Sequence, residues 1–262
     1  MMSIDHTGKS VIVTGAGSGI GRASALAFAE CGASVVVNDI NVDLARETLS
    51  LVQEQGGTAT VFMADITDPK KIDELVLFAC DTYGKLDVMF NNAGGSFPTA
   101  MLDVPLEDYR NIMALNIDSV YYGTMAALKV MVPQRSGIIL STTSGAGINA
   151  MPGLAIYGIA KAGVISLMKS VATEYGRQGI RANSISPGAM ETPGLVNWLK
   201  TLSGGVQGYS DAQPQGRLGR PEEIAGAAVC LASDHASFVN GSMLAVDGAV
   251  HSTLWNPLAG ML

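Results

Sequence analysis

Short runs of β-branched and aliphatic residues alternate along the chain with longer stretches whose apolar positions recur at helical spacing. The runs at 10–14, 34–38, 58–63, 86–90, 137–141, 180–185 and 243–246 predict strands, and the stretches between them predict helices. Strand runs that are apolar throughout belong in a parallel sheet covered on both faces, since a solvated face would impose polar alternation. Right-handed crossovers then give a doubly wound α/β fold, Rossmann-like, of about seven strands in a single domain over residues 1–262.

The alternation lapses between 188 and 215. There Leu195, Val196, Trp198, Leu199, Leu202 and Tyr209 are punctuated by Gly204, Gly205 and Gly208. A long connection of this kind in a compact domain is usually functional, and its apolar residues need cover, so it reads as a short amphipathic helix hinged over a pocket.

A hydrophobic content of 48% over 262 residues can bury a large core. The net charge of −7 opposes nucleic acid and anionic membranes as partners and leaves a small molecule. The polar start of the chain lacks the signature of a signal peptide, and no uninterrupted apolar stretch reaches the ~20 residues of a membrane span, so a cytoplasmic location is expected. Cys31, Cys80 and Cys230 are odd in number and lie in apolar helical surroundings, which reads as reduced core residues. His6, His235 and His251 are scattered, and no metal site is expected.

The first predicted strand runs into Thr14-Gly15-Ala16-Gly17-Ser18-Gly19-Ile20-Gly21, with a helix expected over 20–31. Glycines permit the tight turn and close approach of backbone, and the helix start offers unpaired N–H groups to a pyrophosphate. Asp39 ends the second strand, where a carboxylate binds adenosine ribose hydroxyls and repels a 2′-phosphate, so NAD(H) is favoured over NADP(H). Ser18 and Ile40 offer no positive charge to offset such a phosphate, and Arg22 is expected to point outward from the helix.

Tyr157 and Lys161 stand four residues apart in a helical stretch and share a face. A cation beside a phenol favours its ionised form, which makes tyrosine usable as an acid/base. Ser144 lies thirteen residues before Tyr157.

These motifs resemble the short-chain dehydrogenase/reductases over nearly the whole chain, of the NAD-preferring type with Tyr-x-x-x-Lys. Besides the glycine turn, Tyr157, Lys161 and Ser144, the resemblance rests on Asp65 after the third strand, Asn91-Asn92-Ala93-Gly94 after the fourth, Asn116, and Pro187-Gly188 followed by Thr192. It implies hydride exchange between NAD(H) and an alcohol or carbonyl, with Asn116, Ser144, Tyr157 and Lys161 catalytic. Tyr157 would carry the proton and Ser144 would bind the substrate oxygen. Lys161 would serve both Tyr157 and the nicotinamide ribose, and Asn116 would position a water linking Lys161 to solvent. It further implies that Gly15, Ser18, Gly19, Ile20 and Gly21 cradle the pyrophosphate, that Asp65 and Ile66 meet adenine, that Asn92, Ala93 and Gly94 border the nicotinamide ribose, and that Pro187, Gly188, Met190 and Thr192 border the nicotinamide.

The expected pocket walls, 95–98, 145–154 and the lid with Leu195, Trp198, Leu199 and Leu202, are mostly apolar, and no arginine is placed to clamp an anion. A neutral hydrophobic secondary alcohol or ketone, alicyclic, aryl or steroid-like, is the expected substrate. The alternative enzyme is a 3-oxoacyl-thioester reductase, which Asp39 and the overall acidity oppose; a non-catalytic NAD(H)-binding sensor or scaffold is opposed by the intact Ser144, Tyr157 and Lys161. The apolar segment 249–262 is expected at a subunit interface, and the resemblance implies a homotetramer built on helices over 106–132 and 155–177 and on the last strand.

Overall fold

The computed structural model describes residues 4–252. Seven strands, β1 (Ser10–Thr14), β2 (Ser34–Asp39), β3 (Thr58–Met63), β4 (Val88–Asn91), β5 (Gly137–Thr142), β6 (Ile180–Pro187) and β7 (Met243–Val246), form one sheet in the order β3-β2-β1-β4-β5-β6-β7. Every pairing is parallel. Strand periodicity sorts the core into two layers. Val11, Val13, Val35 and Val37 face one side, where they meet Phe28 of α1 (Gly19–Glu30), Val52 of α2 (Val42–Glu54) and Ile224 and Ala228 of α9 (Pro221–Leu231). Ile12, Val36, Met89 and Ile139 face the other, against Leu75 of α3 (Pro69–Tyr83), Met131 of α5 (Ser119–Gln134) and Met168 of α6 (Ala155–Tyr175). The sheet grows outward from β1 to β3 and then resumes on the other flank of β1 with β4, so a crevice opens beyond the carboxyl ends of β1 and β4.

Local chemistry fixes where the helices begin. Asn41 accepts from the amides of Asp43 and Leu44 at the start of α2, and Asp68 accepts from the amide of Lys70 at the start of α3, with Pro69 in the first turn. At the start of α1, Ser18 makes no such side-chain bond and no acidic residue occupies the first turn, so that end presents its N–H groups to the crevice. The expected helix over 106–132 is α4 (Leu106–Met113) joined to α5 through a π-helical turn, Ala114–Asp118.

Several expectations are corrected. The lid forms two short helices instead of one, α7 (Pro193–Leu199) and α8 (Gly205–Asp211), with Gly205 at a left-handed φ of +55° where α8 begins. Cys230 is exposed on the outer face of α9, and Cys31 and Cys80 are only half-buried; all three are free thiols. Arg22 folds back across the glycine turn, where it donates to the Gly17 carbonyl and to Glu47. The segment running on from α6 (Ala155–Gln178) matches a membrane span in length and composition, yet α6 buries Lys161, Val164, Met168 and Val171 in this core. Of the tail expected at an interface, residues 253–262 lie outside the described residues, and Val250–Ser252 form one 3-10 turn.

Candidate active site

The glycine turn is as tight as its sequence requires. Gly15 and Gly19 take φ of +63° and +51°. A Cβ on Gly21 would strike the carbonyl of Gly15, and one on Gly17 would come within 2.7 Å of the Asp39 carboxylate. Asp39 accepts from the amides of Gly17 (2.8 Å) and Asn41 (2.9 Å), which holds its charge beside the turn. Arg22, paired with Glu47 at 2.6 Å, is neutralised there. Thr192 closes the turn from above: its methyl lies 3.0 Å from where a Cβ of Gly19 would stand, and its hydroxyl caps α7. Without side chains at 15, 17, 19 and 21 the backbone of the turn is bare, and with Asp39 beside it the residues fit a dinucleotide's pyrophosphate and ribose.

The end of β4 is tied to its neighbours. Thr14 Oγ1 accepts from the amides of Asn92 and Ala93, while the Asn92 side chain bonds Thr14 O (3.0 Å) and Thr142 Oγ1 (3.2 Å). Asn92 therefore fixes the crevice floor with its side chain and offers only backbone to a ligand. Asn116 is fully buried in the π-helical turn; it accepts from the Gly95 amide (2.9 Å) and donates to the carbonyls of Gly95 (3.0 Å) and Ile112 (2.9 Å). A widened turn at this point frees backbone groups that the amide then satisfies. Asn116 Oδ1 and Lys161 Nζ converge on Gly94, at 2.7 and 3.0 Å from the position of a Cβ.

Asp65 and Ile66 flank the far end of the crevice, where Asp65 accepts from the amide and hydroxyl of Thr67 and Ile66 is buried. Gly188 is pressed against Asp247, beyond Pro187 at the end of β6. Met190 turns its side chain into the core against Gly219, which leaves its backbone at the site.

Ser144, Tyr157 and Lys161 come together between the end of β5 and the first turns of α6. Ser144 caps a short 3-10 turn, Gly145–Gly147, by accepting from the Ala146 amide at 3.2 Å. Its hydroxyl is near enough to that of Tyr157 to draw the phenol's pKa down. Lys161 is 1% exposed; Nζ donates to the Thr142 carbonyl at 3.0 Å and lies 5.6 Å from the centre of the Tyr157 ring, a cation–π contact. The net shift of the Tyr157 pKa is upward in this structure, where a lowering was expected. Burial pushes Tyr157 above the ordinary phenol value, with only the Ser144 hydroxyl pulling it down, and burial brings Lys161 down to about 8.

A narrow hollow of about 10 Å³ lies beside Tyr157. It is lined by Ser96, Phe97, Thr99, Met101, Val104, Ile112, Gly153, Leu154, Ala155 and Ile156, and Tyr157 alone among these described residues titrates. Of the lid side chains expected to contact substrate, Leu199 is fully buried, while Leu195 and Trp198 are half-buried; none of the three lines this hollow. Sequence reasoning missed Thr99, Met101, Val104, Ile112, Ala155 and Ile156; the apolar spacing of Met101, Val104 and Ile112 before and within α4 was the available signal. A second hollow of about 440 Å³, between α8 and the 217–220 segment, is lined by Glu191, Arg217 and Arg220 among others, and there Arg217 is locked to Glu223 at 2.7 Å.

Comparison with known proteins agrees with this geometry. A family model described as enoyl-(acyl carrier protein) reductase matches residues 15–251. Cyclohexanol dehydrogenase of Acinetobacter sp. (strain SE19) is 37% identical over 96% of this chain and 98% of that protein. The 7alpha-hydroxysteroid dehydrogenase of Escherichia coli (strain K12) is 38% identical over 92% and 93%. Among solved structures, a 7 alpha-hydroxysteroid dehydrogenase complexed with NADH and 7-oxo glycochenodeoxycholic acid superposes with a TM-score of 0.88 at 37% identity, covering 94% of this chain and 95% of that one.

Proposed function

The chain belongs to the short-chain dehydrogenase/reductase family and is an oxidoreductase of that type, and from that premise we propose that it exchanges hydride between NAD(H) and a neutral hydrophobic secondary alcohol or its ketone, alicyclic, aryl or steroid-like. One observation carries the substrate class: the residues gathered beside Tyr157, among them Phe97, Met101, Val104, Ile112, Leu154 and Ile156, include no charged side chain, around a hollow of about 10 Å³ that must widen to admit a substrate. The substrates named for the two relatives, cyclohexanol and a hydroxysteroid, support the same chemistry.

A bound nicotinamide supplies the hydride acceptor or donor. Asp39 holds the adenosine ribose hydroxyls, residues 15–21 the pyrophosphate, Asp65 and Ile66 the adenine, and Asn92, Ala93, Gly94 and Lys161 the nicotinamide ribose, with Pro187, Gly188, Met190 and Thr192 along the nicotinamide. Ser144 donates to the substrate oxygen, and the Tyr157 hydroxyl gives that oxygen its proton in reduction and removes it in oxidation. Lys161 keeps positive charge beside the phenolate, and Asn116 secures the Gly94–Gly95 backbone against which Lys161 lies.

The acyl-thioester alternative is supported by two relatives named 3-oxoacyl-[acyl-carrier-protein] reductase, of Synechocystis sp. and Thermotoga maritima, 36% and 34% identical over 93% of this chain. Arg135 and Arg177, the residues available to an acidic carrier, precede β5 and β6, whereas Ser144 and Tyr157 stand beyond the carboxyl end of β5. A carrier docked on them would sit at the wrong edge of the sheet. Exposed Leu106, Tyr121, Met125 and Ile159 on α4, α5 and α6 support assembly into a homotetramer. The functional test is a panel of secondary alcohols, read by absorbance of the reduced cofactor with NAD⁺ and NADP⁺ in parallel. Turnover of cyclic or steroid alcohols with NAD⁺ is expected; turnover confined to NADPH and 3-oxoacyl thioesters would overturn the reading.

A further inference from the structure

Beyond β7 the chain turns back toward the site. The Asp247 carboxylate accepts from the amides of Ala249 (3.0 Å) and His251 (2.8 Å), which secures the short turn Val250–Ser252. The same carboxylate lies 2.8 Å from Nδ1 of His251, at ion-pair distance though off the line of a hydrogen bond, and the two side chains are 13% (His251) and 7% (Asp247) exposed.

This pair touches both walls of the reacting centre. The His251 ring is pressed on Gly145, where any Cβ would collide with Nε2, and Gly145 directly follows Ser144. The backbone of Asp247 packs on Gly188 so closely that a Cβ there would lie 2.8 Å from its Cα and carbonyl oxygen, and the Gly188 amide donates to Val246 O at 3.1 Å. The turn after Ser144 contains Gly145 and Gly147 and has little stiffness of its own. Gly147 is held by the backbone of Lys161, 2.7 Å from a Cβ position; at Gly145 the contact comes from His251.

We propose that Asp247 and His251 form a strut that positions the Ser144 hydroxyl. Asp247 fixes the imidazole, the imidazole fixes Gly145, and Gly145 sets the direction of Ser144 toward Tyr157, while the same strut braces Gly188 across the crevice. His251 is a positioning residue, and the assignment rests on the reading of Ser144 and Tyr157 as the groups that act on substrate oxygen.

The test is a double-variant cycle of Gly145→Ala and His251→Ala in the full chain, with kcat and KM for one accepted secondary alcohol, NADH binding by fluorescence, and melting temperature. Gly145→Ala alone displaces the ring and His251→Ala alone releases the turn, so each is expected to lower kcat roughly tenfold with KM and NADH affinity little changed. In the double variant the added methyl takes part of the space the ring leaves, and kcat is expected within about threefold of the parent, a non-additive result that a merely local packing loss would not give. Wild-type kcat in His251→Ala, or additive losses in the double variant, would overturn the strut. If the parent oxidises no alcohol, the functional reading fails separately, and the strut is then judged on melting temperature: coupling supports it and additivity overturns it.

Discussion

The Asp39 carboxylate accepts the Gly17 amide at 2.8 Å, so the residue proposed to select the cofactor is tied into the glycine turn. Its charge cannot swing away when a 2′-phosphate approaches, and Arg22, the nearby cation, is paired with Glu47. In Asp39→Ser the ratio of kcat/KM with NADH to that with NADPH is expected to fall by ten- to a hundredfold, since hydrogen bonds to a charged group contribute about 1.5–3 kcal/mol. An unchanged ratio would remove Asp39 from cofactor selection.

The opposed shifts of Tyr157 and Lys161 predict a pH profile. Alcohol oxidation needs the phenolate, and burial keeps Tyr157 protonated at neutral pH, so kcat/KM for oxidation is expected to rise about tenfold per pH unit below pH 8. Lys161 loses its proton through about 8, and with it the cation beside the phenolate, so the rise bends there. Ketone reduction uses the protonated phenol and is expected not to rise. Steady-state kinetics in both directions across this range checks the sign; a flat oxidation profile contradicts it.

His6 offers a prediction for stability. It is fully buried against Phe28 with Nε2 3.1 Å from the Val229 carbonyl, and burial holds its pKa below the ordinary 6.5. The unfolded chain therefore binds the proton first, and stability present above that value is lost as pH falls through the folded-state value. Urea melts at pH 7.5 and 5.5 are expected to show the parent losing more stability than His6→Leu. Equal losses would mean that His6 does not titrate on unfolding.

Much of this was legible in the sequence, because its signals are local. β-branched runs located all seven strands, as at Thr58–Met63, and glycines at 15, 19 and 21 marked a turn that leaves no room for Cβ atoms. What escaped depends on how elements meet. The His251–Asp247 contact needs Ala249 at φ +72°, which no residue preference announces. Arg22 folds inward because Glu47, on another helix, is there to receive it. The sign of the Tyr157 shift follows from burial by segments far apart in sequence, and spacing on one helix face could report only the neighbouring cation.

The claim that Tyr157 carries the proton is tested most directly by Tyr157→Phe. The substitution keeps the ring over which Lys161 lies and removes only the hydroxyl. Alcohol oxidation with NAD⁺ is expected to fall by at least about a hundredfold while NADH binding, followed by fluorescence, stays near that of the parent. Turnover that survives the substitution, with NADH binding intact, would contradict the account.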